Sequence, residues 1–280
     1  VGSMTVSAPT STAFDFDRPV TARSQEDFLQ LWKETRNFLL GPELIQFEMP
    51  FPGAEEMVDI LRQHPDTKIS SNRLDEEAAV TDLVDKMRHA PLEQVVDLPF
   101  NIALFELHNF YGEGHFLQTF QQQVMIPWRT FLASSGLTWQ RSYPIIFISG
   151  KGCSSQYHVD NSDVVAWQIH GTKSFHGFCD PGKYGPIESI VDDRSPYPSK
   201  HPPEHAPEDV LTYVMKPGAM LWNQLLTPHW VDGGANSIAV SVNISHGGIQ
   251  HGGQFSPNEQ VLRRRWEDHP EEAWLVDQRY

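Results

Sequence analysis

The sequence predicts a mainly β fold with flanking helices, an α+β chain whose core is a double-stranded β-helix of the jelly-roll or cupin-like kind. Three observations predict it. Helical periodicity dominates the N-terminal third, recurs at 116–132 and returns in the C-terminal tail. Between them runs a series of about eight short apolar strands broken by Gly and Pro turns. The last strand, at 236–245, alternates cleanly, with Ile238, Val240, Val242 and Ile244 on one face and Ala239, Ser241, Asn243 and Ser245 on the other. Such alternation suits a sheet that packs on apolar cover on one side and lines a small polar interior on the other.

The elements follow in order. Residues 1–22 read as a disordered leader, with 1–3 before Met4 as a cloning remnant. Ser24, with Glu26 and Asp27 behind it, marks a helix start. Phe28, Leu31, Trp32, Phe38 and Leu39 then share a face as far as Gly41 and Pro42. A strand is expected at 43–49 and a second helix at 54–64; a third at 75–90 carries Leu83, Val84 and Met87 at helical spacing. Residues 100–107 read as a strand and 116–132 as a helix. Further strands are expected at 143–149 (closed by Gly150 and Gly152), from His158, at 164–169, and at 172–178 before Asp180 and Gly182. The proline-loaded stretch 183–209 reads as a long loop, a length that suits a lid. Strands at 211–215, 219–223 and 236–245 complete the set, and His246 and His251, each followed by two glycines, read as turn material. One domain over 23–256 is expected, then a helical tail in 257–280 with Arg263, Arg264 and Arg265 on a charged face. Val261, Leu262 and Trp266 in that tail suit either a homodimer contact or packing on the chain's own barrel.

Composition narrows the function. A length of 280 residues, 39% hydrophobic with 8 Trp and 16 Phe, is that of a folded domain with a sizeable core. The net charge of -15 argues against a nucleic-acid partner, because phosphate binding needs a cationic surface, and leans toward a basic target. Cys153 and Cys179 are the two cysteines, with no CxxC pair, which reads as free thiols in a reducing, cytoplasmic setting. No apolar run is long enough to span a membrane.

The chemistry-bearing residues are His158, Asp160 and His229. Side chains two apart on an extended strand share a face, so His158 and Asp160 can fill neighbouring positions of an octahedron. His229, behind Pro228 and after an apolar strand, closes a third. Two imidazoles and a carboxylate form a facial triad, which holds ferrous iron and leaves the opposite positions open. His115, His170, His176, His201 and His205 read as ordinary surface or core histidines.

With these residues the stretch 100–250 resembles the 2-oxoglutarate and Fe(II)-dependent oxygenases, in their JmjC and cupin-like hydroxylase branch. The resemblance implies that Lys173, on the strand after the His-x-Asp pair, binds the far carboxylate of 2-oxoglutarate. It implies a second contact from Ser155, three residues before the first ligand, and an orienting amide from Asn243 near the end of the last strand. Another branch uses an Arg soon after the second histidine; none stands between His229 and Arg263. Tyr111 and Tyr143 are the candidates for a further co-substrate contact, and 1–100 holds no substrate-recognition motif. The implied activity is hydroxylation, using molecular oxygen, of a C–H bond in a small molecule, such as an amino acid or pathway intermediate, or in a protein side chain. The alternative is a cupin-type metal-binding or isomerising protein, against which the Asp in the dipeptide and Lys173 count.

Overall fold

Ser24 caps the first helix as its sequence predicts, its hydroxyl accepting the Asp27 N–H at 3.1 Å. The computed structural model describes residues 20–193 and 198–277, with side chains as far as 273. Residues 1–19 of the leader expected over 1–22, and residues 194–197 of the proline-rich stretch, lie outside the described residues. In chain order come β1 (Thr21–Ala22), α1 (Gln25–Trp32), β2 (Phe38–Leu40), α2 (Ala54–Arg62), β3 (Lys68–Ser70), α3 (Glu77–His89), α4 (Leu92–Val95) and β4 (Asn101–Leu104). A π-helical turn, Gln121–Met125, leads into α5 (Ile126–Ser134) and β5 (Leu137–Thr138). The strands β6 (Arg141–Ser149), β7 (Ser154–His158), β8 (Asp163–His170) and β9 (Lys173–Phe178) precede α6 (Pro181–Tyr184) and α7 (Ile187–Asp192). Then follow β10 (Val210–Met215), β11 (Met220–Asn223), β12 (His229–Gly233), β13 (Ala239–Gly247), β14 (Gln250–His251) and β15 (Gln254–Phe255). The described chain closes with α8 (Pro257–Asp268) and α9 (Pro270–Asp277).

The large sheet has the order β1-β2-β11-β8-β13-β6-β4-β3, and a second sheet runs β10-β9-β12-β7. Their pairings are antiparallel apart from β1 with β2. From β6 to β13 the chain passes between the sheets: β6, β8, β11 and β13 lie in the large one, β7, β9, β10 and β12 in the other. The result is a mixed α and β architecture with large antiparallel sheets, consistent with a jelly-roll core.

The alternation read from the last strand is what separates core from cavity. Val240, Val242 and Ile244 of β13 join Phe28 and Trp32 of α1 and Trp128 of α5 in the main core. Ser241 and Asn243, one position out of phase, line a cavity of about 920 Å³ between the sheets. Burying each large apolar side chain contributes roughly 1.5–3 kcal/mol, so the helical cover fixes which face of the large sheet looks inward.

Several elements depart from the sequence expectation. The helix expected to run to residue 40 stops at Trp32, and Phe38–Leu40 instead pair with Met220–Trp222 of β11. Thr35, at φ 58, turns the chain between them. Sheet hydrogen bonds there override the helical spacing of the apolar side chains. Residues 43–49 form no strand. Thr21–Ala22, expected in the leader, pair with Leu39–Leu40. The stretch 183–209 is not structureless, since α7 lies within it and Ile190 and Val191 are buried against Leu225, Leu226 and Leu262. His246 is no turn residue: it sits buried in β13, accepting the Trp128 Nε1–H at 2.7 Å and donating from Nδ1 to the Asp163 carbonyl at 3.0 Å. The pairing at His251 does form a hairpin, with Gly252 and Gly253 both at positive φ in its turn.

Candidate metal centre

β7 and β12 are hydrogen-bonded neighbours, and their register sets His158 directly opposite His229. His158 ends β7 rather than starting a strand, and Asp160 lies just beyond it, outside regular structure. The chain still folds the carboxylate back between the two rings. Asp160 Oδ1 stands 3.5 Å from His158 Nε2, and Oδ2 stands 3.4 Å from His229 Nε2. The ligand atoms all lie within 4.8 Å of one another.

The tautomers are fixed from behind. His158 Nδ1 lies 2.6 Å from the Gln156 carbonyl, and His229 Nδ1 lies 2.9 Å from that of Thr227. A carbonyl can only accept, so each Nδ1 carries a proton and Nε2 is the ring nitrogen left facing Asp160. Burial, helped by the neighbouring His158, holds His229 neutral by lowering its pKa to about 4, although Asp160 opposes the shift. The separations of 3.4 and 3.5 Å exceed those of strong hydrogen bonds. They approach the roughly 3 Å expected between adjacent ligands of an ion bound at about 2.1 Å. Two imidazole nitrogens and a carboxylate gathered this way fit a divalent cation. His158 and Asp160 keep 29% and 34% of their side-chain surface open, whereas His229 is closed at 4%. The accessible side of the triad faces the cavity.

One further residue holds the group together. Asn223, at the end of β11, donates from Nδ2 to Asp160 Oδ2 at 2.9 Å, and the same Nδ2 lies 3.3 Å from His229 Nε2. The Leu226 N–H donates to the Asp160 carbonyl at 2.7 Å. Sequence reading missed Asn223; an Asn closing an apolar strand carries no signal apart from its nearness to His229.

Lys173, Ser155 and Asn243 line the same cavity as the triad. On β9 the inward positions are Gly177, opposite His229, then Phe175 and Lys173. Phe175 stacks on the His229 ring at 4.9 Å and 13°. Lys173 begins four residues, about 13 Å, along the strand from Gly177. Desolvation lowers its pKa to about 8, and no hydrogen bond or ion pair engages its ammonium among the described residues. Phe178 is on the opposite face, packed against Tyr157 and Trp230. Strict alternation would put Ser155 and His158 on opposite faces. A bulge corrects this: Val231 pairs with Ser155 and His229 with His158, so three steps on β7 match two on β12. Asn243 Oδ1 is buried without a partner among the described residues.

Neither tyrosine candidate lines the cavity. Tyr111 stacks on Phe120 against the main core, and Tyr143 donates to Ser245 Oγ. His115, His170, His176, His201 and His205 stay outside the triad. Cys153 and Cys179 are both buried, and neither is in a disulfide among the described residues. Among the described residues no helix is long and apolar enough to cross a membrane.

No protein-family model matches the chain, and no curated protein matches it. Among solved structures it is similar to Escherichia coli YcfD, at TM-score 0.50 and 15% identity over 87% of this chain and 66% of that one. Another YcfD structure, described as a ribosomal oxygenase, matches at TM-score 0.47 and 16% identity over 89% and 55%. A third, of YcfD in complex with cobalt and 2-oxoglutarate, matches at 0.48 and 14% over 89% and 56%. The chain thus spans 55 to 66% of the length of these structures, and the likeness is one of fold.

Proposed function

We propose that the chain is an Fe(II)- and 2-oxoglutarate-dependent oxygenase on a double-stranded β-helix, hydroxylating a C–H bond of its substrate. The observation that carries this reading is the shared cavity: three metal-ligand groups on one wall and an unpaired, desolvated lysine further along it. His158, Asp160 and His229 would hold the iron. The chemistry that iron supplies with its co-substrate is reduction of oxygen, decarboxylation of 2-oxoglutarate to succinate and carbon dioxide, and transfer of one oxygen atom to carbon.

The chain's own residues bind and orient. Lys173 meets the far carboxylate of the co-substrate, where a cation in a desolvated setting makes a strong charge-assisted hydrogen bond. Ser155 is brought to the same side by the bulge, and the Asn243 amide can turn its NH₂ toward a carboxylate, since its two ends have the same shape. Asn223 holds the Asp160 carboxylate between the rings. Phe175 excludes water from one side of His229. YcfD bound to cobalt and 2-oxoglutarate is in keeping with this pair of ligands.

The test is oxygen-dependent succinate release by the iron-loaded protein, with Asp160→Ala as control. The wild type should release succinate, and the variant should lose both release and metal binding with the fold retained. Metal bound at the triad with no succinate formed would favour the cupin-type binding or isomerising alternative.

A further inference from the structure

The large sheet is wider than the barrel it helps to form. β4 and β3 continue it beyond β6, whereas the second sheet ends at β7. The overhang makes a ledge beside the triad, and its register rows run straight into the cavity. Lys68 stands opposite Ala103, Ala103 opposite Phe147, and Phe147 opposite Ser241. At strand spacing this row spans about 14 Å.

The ledge has a definite chemistry. Lys68 Nζ lies 4.6 Å over the Phe105 ring, and Phe105 meets Phe147 edge-on at 6.0 Å. Among the described residues Lys68 has no carboxylate partner. Around the whole cavity the lining holds two ammonium groups, Lys68 and Lys173, and a single carboxylate, Asp160, which the triad uses. The wall is therefore cationic in a chain of net charge -15. Asn72 donates to Ser154 Oγ at 2.6 Å, and since both line the cavity this bond joins the ledge to β7 at its edge. A volume of about 920 Å³ is in the range of small-molecule sites.

We infer that the ledge binds the substrate, and that the substrate is a small organic acid: its carboxylate meets Lys68 and its apolar body lies on Phe105 and Phe147. This rests on the oxygenase reading and reverses the lean toward a basic target that net charge alone suggests. Lys173 is committed to the co-substrate in that reading, which leaves Lys68 as the cation available to a second acid.

The test uses the full chain with manganese(II) and saturating 2-oxoglutarate, so that Lys173 is occupied. Titration calorimetry compares 3-phenylpropanoate, its neutral amide and 3-phenylpropylamine. The acid should bind about tenfold tighter than the amide and the amine weakest. Lys68→Met should bring the acid to the level of the amide and leave the amide unchanged, and Lys68→Arg should keep the preference. Lys68 is exposed on an edge strand, so these variants are expected to fold, which an unchanged Tm verifies. Manganese should broaden the proton signals of the bound acid. An amine that binds as tightly as the acid, or an acid preference that survives Lys68→Met, would overturn the inference. So would an acidic side chain within a decapeptide binding tenfold tighter than the free acid. Repeating the titration without metal separates the claims: absence of metal binding with the acid preference intact counts against the oxygenase alone, and succinate release without acid preference counts against the ledge alone.

Discussion

Asn223 spends one amide group on both Asp160 and His229, and no other described side chain donates to that carboxylate. Asn223→Ala should weaken manganese or cobalt binding by roughly 10- to 100-fold, as loss of a ligand's supporting partner does, with little change in the fold. Competition against a metal indicator dye reads this directly. On the proposed reading Lys173 serves binding at the expense of stability, because burial pulls its pKa down to about 8 and no anion answers it among the described residues. Lys173→Met should therefore raise the Tm of the ligand-free protein while weakening 2-oxoglutarate by roughly 10- to 100-fold. A variant that lost Tm without losing affinity would make Lys173 a structural residue. The same shift predicts that 2-oxoglutarate affinity falls as pH rises through about 8, where the free ammonium loses its proton. At this scale the triad was legible, because ligand chemistry and spacing constrain one another. His246 was not: two following glycines suggest a turn, and only the buried Trp128 N–H shows what the ring is for.

Among the elements, the β7 bulge and the loop after β11 determine the geometry of the site. Leu226 adopts φ 57, and its loop is pinned at three points. Its own N–H donates to the Asp160 carbonyl, the Leu225 N–H to Asp163 Oδ1, and Asn258 of α8 to the Leu225 carbonyl at 2.9 Å. Val261, Leu262 and Trp266 of α8 pack within the chain against this loop and α7. Asn258→Ala should cost about 1–3 kcal/mol of stability and weaken metal binding, since the loop carries Asp160 and His229 with it. Denaturant unfolding with and without metal separates the two effects. The strands β6, β8, β9, β10, β11 and β13 were legible from period-two patterning and Gly or Pro turns, whereas β7 was expected to start at His158, where it ends, and β12 had no expected bounds. The end of α1 and the bulge were not legible. Phe38 and Leu39 keep helical spacing with Phe28 although they pair with β11, and a one-residue offset between strands leaves no trace in composition.

For the whole molecule, charge and acid stability follow from what the fold buries. His229 and His246 both have pKa values lowered to about 4, chiefly by burial, from an ordinary 6.5. Between those values the unfolded chain binds more protons than the native one, so the metal-free protein should lose stability as pH falls from about 6.5 to about 4. Asp163 acts the other way, because burial beside Glu259 raises its pKa and its protonation favours the folded state as pH falls. Asp163→Asn, which keeps the acceptor for Leu225, should make the acid loss steeper in chemical denaturation at stepped pH. Net charge was the least instructive whole-chain feature, since a chain of net charge -15 encloses a cavity lined by two lysines. The most direct measurement is anomalous diffraction from a crystal soaked in manganese(II) and 2-oxoglutarate. One strong peak is expected roughly 2.0–2.3 Å from His158 Nε2, an Asp160 oxygen and His229 Nε2, with the far carboxylate of the co-substrate on Lys173. Manganese held elsewhere, with those three groups left bare, would contradict it.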